Sequence, residues 1–147
     1  ELCPVVSVDT GEWTVKYDLG LMQKLQQTRQ KALPNETGGA ILGVTDFKNR
    51  TIVLVDVLPE PVDSKSSPTS FLRGEEGQLE ALDRVQQLTA RVVDYAGDWH
   101  SHPRGYTAKA SCEDEKLIEK LHQKMSVDGL PVVMLIVAED DINIVVR

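Results

Sequence analysis

The chain has 147 residues, with 16 Lys and Arg against 23 Asp and Glu, a formal charge of −7, and 41% hydrophobic residues. That length suffices for one domain with a substantial core. The acidic balance disfavours non-specific nucleic-acid binding, which needs clustered cations, and no run approaches the roughly 20 apolar residues of a membrane span.

In chain order, EWTVKYD alternates Trp13, Val15 and Tyr17 with polar neighbours, which predicts a half-buried strand. LGLMQKLQQTRQKAL places Leu21, Met22, Leu25 and Leu33 at helical spacing and predicts an amphipathic helix ending before Pro34. GGAILGV and TIVLVDVLP read as two strands joined by the polar turn DFKNR. SKSSPTS, residues 64–70, reads as a loop and an insertion. From about Glu75, Leu79, Leu82, Val85, Leu88 and Val92 recur every three or four positions and predict a second helix.

DYAGDWHSH reads as a short strand, SCEDEKLIEKLHQKM as a third helix, LPVVMLIVA as a buried central strand, and INIVVR, after the turn AEDD, as the last strand. Strands interleaved with three helices, with hairpins at both ends, give a mixed α/β fold rather than a regular doubly wound one. Residues 1–147 read as a single domain; a first residue of Glu fits a piece cut from a longer polypeptide. Two cysteines, Cys3 and Cys112, are too few for a disulfide scaffold and suit free thiols in a reducing cytoplasm.

Two of the three histidines lie in GDWHSHPRGYTAKASCED. In a strand, residues two apart share a face, so His100 and His102 aim their imidazoles together while Trp99 and Ser101 turn away. Pro103 lacks a donor and ends the pairing. Ser111 suits the N-cap of the next helix, which puts Asp114 in its first turn. Two imidazoles and a carboxylate form a ligand set that zinc accepts, with a fourth position left for water. His122 reads as an exposed helix residue, and Asp98 as a residue that orients a histidine or as a surface loop position. Cys112 reads as a side chain pointing away from Asp114.

HSHPRGYTAKASCED resembles the zinc motif of the JAMM (JAB1/MPN/Mov34) metalloproteases: His-Ser/Thr-His-Pro, seven residues, Ser, two residues, Asp. His100, Ser101, His102, Pro103, Ser111 and Asp114 fill every fixed position, and Glu36 in NETGGAILG matches the family's upstream Glu. Ala110 departs from the Pro that many members carry there. The likeness runs from about Tyr17 to the C-terminus, and the compact size and ETGGAILG look like the bacterial and archaeal branch.

The resemblance implies a curved mixed sheet flanked by about three helices, layered like cytidine deaminases. It implies one Zn2+ per chain on His100, His102 and Asp114, with Glu36 as general base and Ser111 donating to an oxyanion, though its cap role competes for that hydroxyl. The implied activity is hydrolysis after the C-terminal tail of a ubiquitin or ubiquitin-like protein, by deconjugation or precursor processing. Phe71, Leu72 and Arg73, in the insertion where members fold a loop over that tail, are the implied substrate contacts; the alternative is a disordered loop whose Phe71 packs on the core. E1-like and E2-like conjugation proteins, including those of antiphage systems, are the implied partners, with neither nucleic acid nor membrane among them. A noncatalytic MPN scaffold and a zinc amidohydrolase acting on a small molecule or carrier protein remain alternatives.

Overall fold

A computed structural model describes residues 3–147. Among them are nine strands: β1 Val5–Asp9, β2 Thr14–Asp18, β3 Gly38–Asp46, β4 Thr51–Val57, β5 Lys65–Ser67, β6 Ser70–Leu72, β7 Asp94–Ser101, β8 Val133–Val137 and β9 Ile142–Val146. The three helices are α1 Leu19–Ala32, α2 Gln78–Leu88 and α3 Cys112–Ser126. None is long and apolar enough to cross a membrane.

Seven strands form one mixed sheet in the order β1-β2-β4-β3-β7-β8-β9. The pairs β2/β4 and β7/β8 are parallel and the others antiparallel. The alternation of β8 separates the two faces. Val133, Leu135 and Val137 join Trp13, Val15, Leu25 and Trp99 in one core with α1 residues, while Val132, Met134 and Ile136 join Ile118 and Leu121 of α3 in another. A smaller cluster of Ala40, Leu42 and Leu58 packs against Ala81, Leu82 and Val85 of α2. Burial on both faces explains why β8 reads as an unbroken apolar run.

The register of β7 shifts between Ile41 and Leu42 of its partner. Gly97 at that shift has φ 152°, and a Cβ there would overlap the Val133 carbonyl. Such a bulge adds one residue and resets which side chains face which side. Ala96 and Trp99, three positions apart, accordingly share one core.

Three sequence expectations change. Residues 64–70, read as loop, form most of a β5–β6 hairpin. β1, in a stretch to which no element was assigned, pairs antiparallel with β2. The second helix is shorter than the apolar spacing predicts: it starts at Gln78 after the left-handed Gly77, and left-handed Ala90 and Arg91 (φ 52° and 64°) turn the chain beyond its end. The helix packs through Ala81, Leu82 and Val85, so Leu79 and Leu88 at its two ends, like Val92 beyond it, are 80%, 76% and 60% exposed instead of facing the core.

Candidate metal centre

β7 delivers His100 at its end and His102 just beyond it, while α3 delivers Asp114 from its first turn. The helix start is a capping box: Ser111 Oγ accepts from the Asp114 amide at 3.1 Å, and Asp114 Oδ2 accepts from the Ser111 amide at 2.8 Å. This satisfies two helix-terminal donors and fixes the Asp114 carboxylate. Because the Ser111 hydroxyl acts as an acceptor here, its own proton stays free, so capping and donation are compatible.

One ligand atom from each of His100, His102 and Asp114 falls within 4.8 Å of the others. His100 Nε2 lies 2.8 Å from Asp114 Oδ1, yet this buried nitrogen has no aligned hydrogen-bond partner. His102 Nδ1 is 2.7 Å from the Thr107 carbonyl. A carbonyl only accepts, so Nδ1 carries a proton, which leaves Nε2, 3.2 Å from Asp114 Oδ2, as the ring nitrogen that faces the triad. That is how a carbonyl behind a metal-binding histidine fixes its tautomer. Two convergent imidazole nitrogens and a carboxylate fit a divalent cation with nitrogen and oxygen preference.

Burial raises the Asp114 carboxyl pKa, but the two imidazoles and the Ser111 amide outweigh it and hold the group well below the usual carboxylate range. The Glu36 carboxyl moves the other way. Burial raises it, His100 and His102 pull it down, and Asp114 pushes it up, leaving a net rise. Glu36 is only 8% exposed and feels the charges of all three triad residues, so it is a buried neighbour of the triad rather than a solvated loop residue.

The segment just before β3 that holds Glu36 is fastened from three sides. Its amide donates to the Ser67 carbonyl of β5 at 2.9 Å. The next residue, Thr37, exchanges two bonds with Ser101, its amide donating to Ser101 Oγ at 2.9 Å and its carbonyl accepting from the Ser101 amide at 2.8 Å. Glu60 accepts from Thr37 Oγ1 and Ser66 Oγ, tying strand and hairpin together.

The hairpin lies along β3. Phe71 packs its ring over Gly38, where a Cβ would come within 2.7 Å of it and also strike the Trp99 carbonyl. Arg73 Nε donates to Asp98 Oδ2 at 3.0 Å, and Tyr95 OH donates to Asp98 Oδ1 at 2.8 Å. Asp98 is thus neither a surface residue nor a histidine partner; it anchors the hairpin base. Burial lowers the Arg73 pKa, but the Asp98 charge outweighs this and raises it. Phe71 is half-buried, Arg73 is engaged within the chain, and Leu72 is 63% exposed.

Arg29 escaped sequence reasoning. Only 2% exposed, it donates from Nε to the His102 carbonyl at 2.9 Å, and its Nη2 has no partner. Its place on the Met22–Leu25–Arg29 face of α1 marked it as a cation in an apolar stripe. His122, expected to be exposed, is partly buried, with Nδ1 unpartnered. Cys112 is exposed and outside the triad.

The family model described as "Prokaryotic homologs of the JAB domain" matches residues 19–145. The "CD-NTase/cGAS isopeptidase" of Enterobacter hormaechei is 28% identical over 128 residues, covering 87% of this chain and 69% of that protein. The "Probable metalloprotease y4qB" of Sinorhizobium fredii is 27% identical over 88 residues, 58% of this chain and 52% of that one, so this chain spans about half of that relative's length. The solution structure of DSY2949 from Desulfitobacterium hafniense shares the fold at a TM-score of 0.58 and 22% identity, over 88% of this chain and 80% of the other. Matched by the family's model over nearly its whole length, the chain belongs to the prokaryotic branch of the JAB (JAMM, MPN, Mov34) family.

Proposed function

We propose that the chain is a zinc-dependent isopeptidase that hydrolyses the amide bond after the C-terminal tail of a ubiquitin-like protein or another protein conjugated through its C-terminus. The observation that carries this reading is the convergence of His100, His102 and Asp114 donor atoms within 4.8 Å, with buried Glu36 beside them. A noncatalytic scaffold has no need of such an arrangement. The Enterobacter relative, named for an isopeptidase, adds CD-NTase conjugates to the candidate substrates.

His100, His102 and Asp114 would hold the ion, which when bound supplies Lewis acidity and brings the pKa of water to about 7. Glu36 takes a proton from the attacking water as its oxygen bonds to the scissile carbonyl carbon. Glu36 then delivers that proton to the departing amine as the C–N bond breaks. The free proton of Ser111 Oγ donates to the carbonyl oxygen while it carries negative charge; losing one such donor typically costs about 10²–10³ in rate.

β6 pairs with β5 and with no other strand among the described residues, so its other edge can take an extended tail by strand addition. Leu72 of β6 is an exposed apolar side chain, Phe71 packs on Gly38, and Arg73 holds the base.

The test uses purified protein assayed for metal content and incubated with isopeptide conjugates of ubiquitin, of ubiquitin-like proteins and of a CD-NTase. Zinc near one per chain, with cleavage abolished by Glu36→Ala, is the expected result. Absence of stoichiometric metal, or cleavage unaffected by Glu36→Ala, would overturn the proposal.

A further inference from the structure

Beyond the metal centre lies a cleft of about 480 Å3 lined by Leu33, Pro34, Pro68, Thr69, Pro103, Arg104 and Tyr106. This falls in the range of roughly 300–1,000 Å3 usual for ligand sites. Its walls are chain neighbours of the working residues. Pro34 precedes Glu36 by two positions, Pro103 follows His102, and Pro68 follows Ser67, whose carbonyl holds the Glu36 amide.

The hairpin gives the cleft a direction. Its base is anchored where Arg73 meets Asp98, its middle where Phe71 covers Gly38, and its tip where Ser67 meets Glu36. Asp98, His100 and the residue Ser101 pair in turn with or beside Ala40, Gly38 and Thr37, so base to tip runs toward the metal end of β7. A tail lying along the hairpin reaches the metal centre near the tip, and whatever is joined to it continues past Pro68 and Thr69.

We infer that this cleft is the leaving-group subsite, which receives the segment carrying the acceptor lysine; the inference rests on the isopeptidase reading. Prolines, Leu33 and the exposed Tyr106 ring offer apolar surface to the aliphatic stem of a lysine and to an apolar neighbour. Arg104 is exposed, forms no ion pair among the described residues, and is the only charged residue lining a cleft that contains no carboxylate. In a chain of net charge −7, that local cation selects for an acidic residue next to the acceptor lysine.

The experiment has two arms on the zinc-loaded protein. In the first, short peptides with a free lysine flanked by Leu and Glu, or by Leu and Lys, are titrated while backbone amide resonances are followed. The acidic peptide should shift Leu33, Thr69, Arg104 and Tyr106 at lower concentration than the basic one. Shifts confined to Ser70–Leu72, or equal response to both peptides, would overturn the assignment.

In the second arm, the same peptides are isopeptide-linked to the C-terminal tails of ubiquitin, of ubiquitin-like proteins and of a CD-NTase. The wild type should favour the acidic conjugate in kcat/KM by about tenfold, a preference of the size that one pocket contact gives, and Arg104→Glu should invert the ratio. Cleavage with no preference would sink the subsite alone. Cleft shifts with no cleavage of any conjugate would sink the isopeptidase reading and keep the cleft as a peptide site.

Discussion

Ser101 stands between two histidines in the sequence, yet its hydroxyl serves the neighbouring strand: Oγ accepts from the Thr37 amide in a fully buried position. Ser101→Ala leaves that amide without a partner, and an orphaned buried donor costs about 1–3 kcal/mol. Denaturant unfolding should show the loss as a lower midpoint with an unchanged slope. Turnover should fall as well, because Thr37 carries Glu36. Ser101→Thr, which keeps the acceptor oxygen, should recover part of both. The same residue-scale logic explains Gly38, whose missing side chain lets Phe71 lie on β3. Gly38→Ala forces the ring or the strand aside and is expected to destabilise by about 1–3 kcal/mol, as overpacking does; a Phe71→Leu change in the same chain should relieve part of it.

At the scale of elements, the β5–β6 hairpin depends on remote contacts. Six short, mostly polar strand residues would not hold a hairpin in water alone. Glu60, Ser67, Phe71 and Arg73 fasten it to β7, to β3 and to the segment just before β3. Arg73→Ala leaves Asp98 buried with only Tyr95 beside it, and breaking a buried pair from one side costs on the order of 3 kcal/mol. Amide hydrogen exchange should accelerate through residues 64–73, with the amides of β8 still protected. Arg73→Met combined with Asp98→Asn should restore much of the protection. If Arg73→Ala left hairpin exchange unchanged, the anchor would not be what orders this element.

For the whole molecule, the two main cores lie on opposite faces of the sheet and are built from apolar residues apart from the triad. The fold therefore does not depend on an ion, although the site should gain from one. A ligand at about 1,000 times its dissociation constant stabilises by ~4.1 kcal/mol. For a domain near this size each kcal/mol is worth about 2–4 °C in Tm. Chelation should lower Tm by roughly 8–16 °C and leave the far-ultraviolet circular dichroism unchanged, and re-addition of zinc should reverse the shift. His100→Ala should show no chelator-dependent change; a shift that persisted in that variant would place the ion elsewhere.

Much of this was legible in the residues themselves. Period-2 alternation located β2, the 3.6-residue pattern located α1 and α3, and an unbroken apolar run located β8, because each buries apolar surface that must be written locally. The candidate ligand pair was legible for the same reason: two positions along a strand is a local distance, and a helix N-cap three residues before Asp114 is local too. What the pattern could not carry was anything decided by a partner far along the chain. β1 is an edge strand with little buried surface. The hairpin is polar and held from outside. α2 stops short because Ala90 and Arg91 turn left-handed despite the apolar spacing that continues to Val92. The roles of Arg29, Asp98 and Ser101 arise from hydrogen bonds across 73, 25 and 64 residues of chain. Local periodicity thus determined which segments bury which faces and which side chains could bind a cation; only tertiary packing decided how Glu36 is held beside them, because that depends on hydrogen bonds no single segment can make.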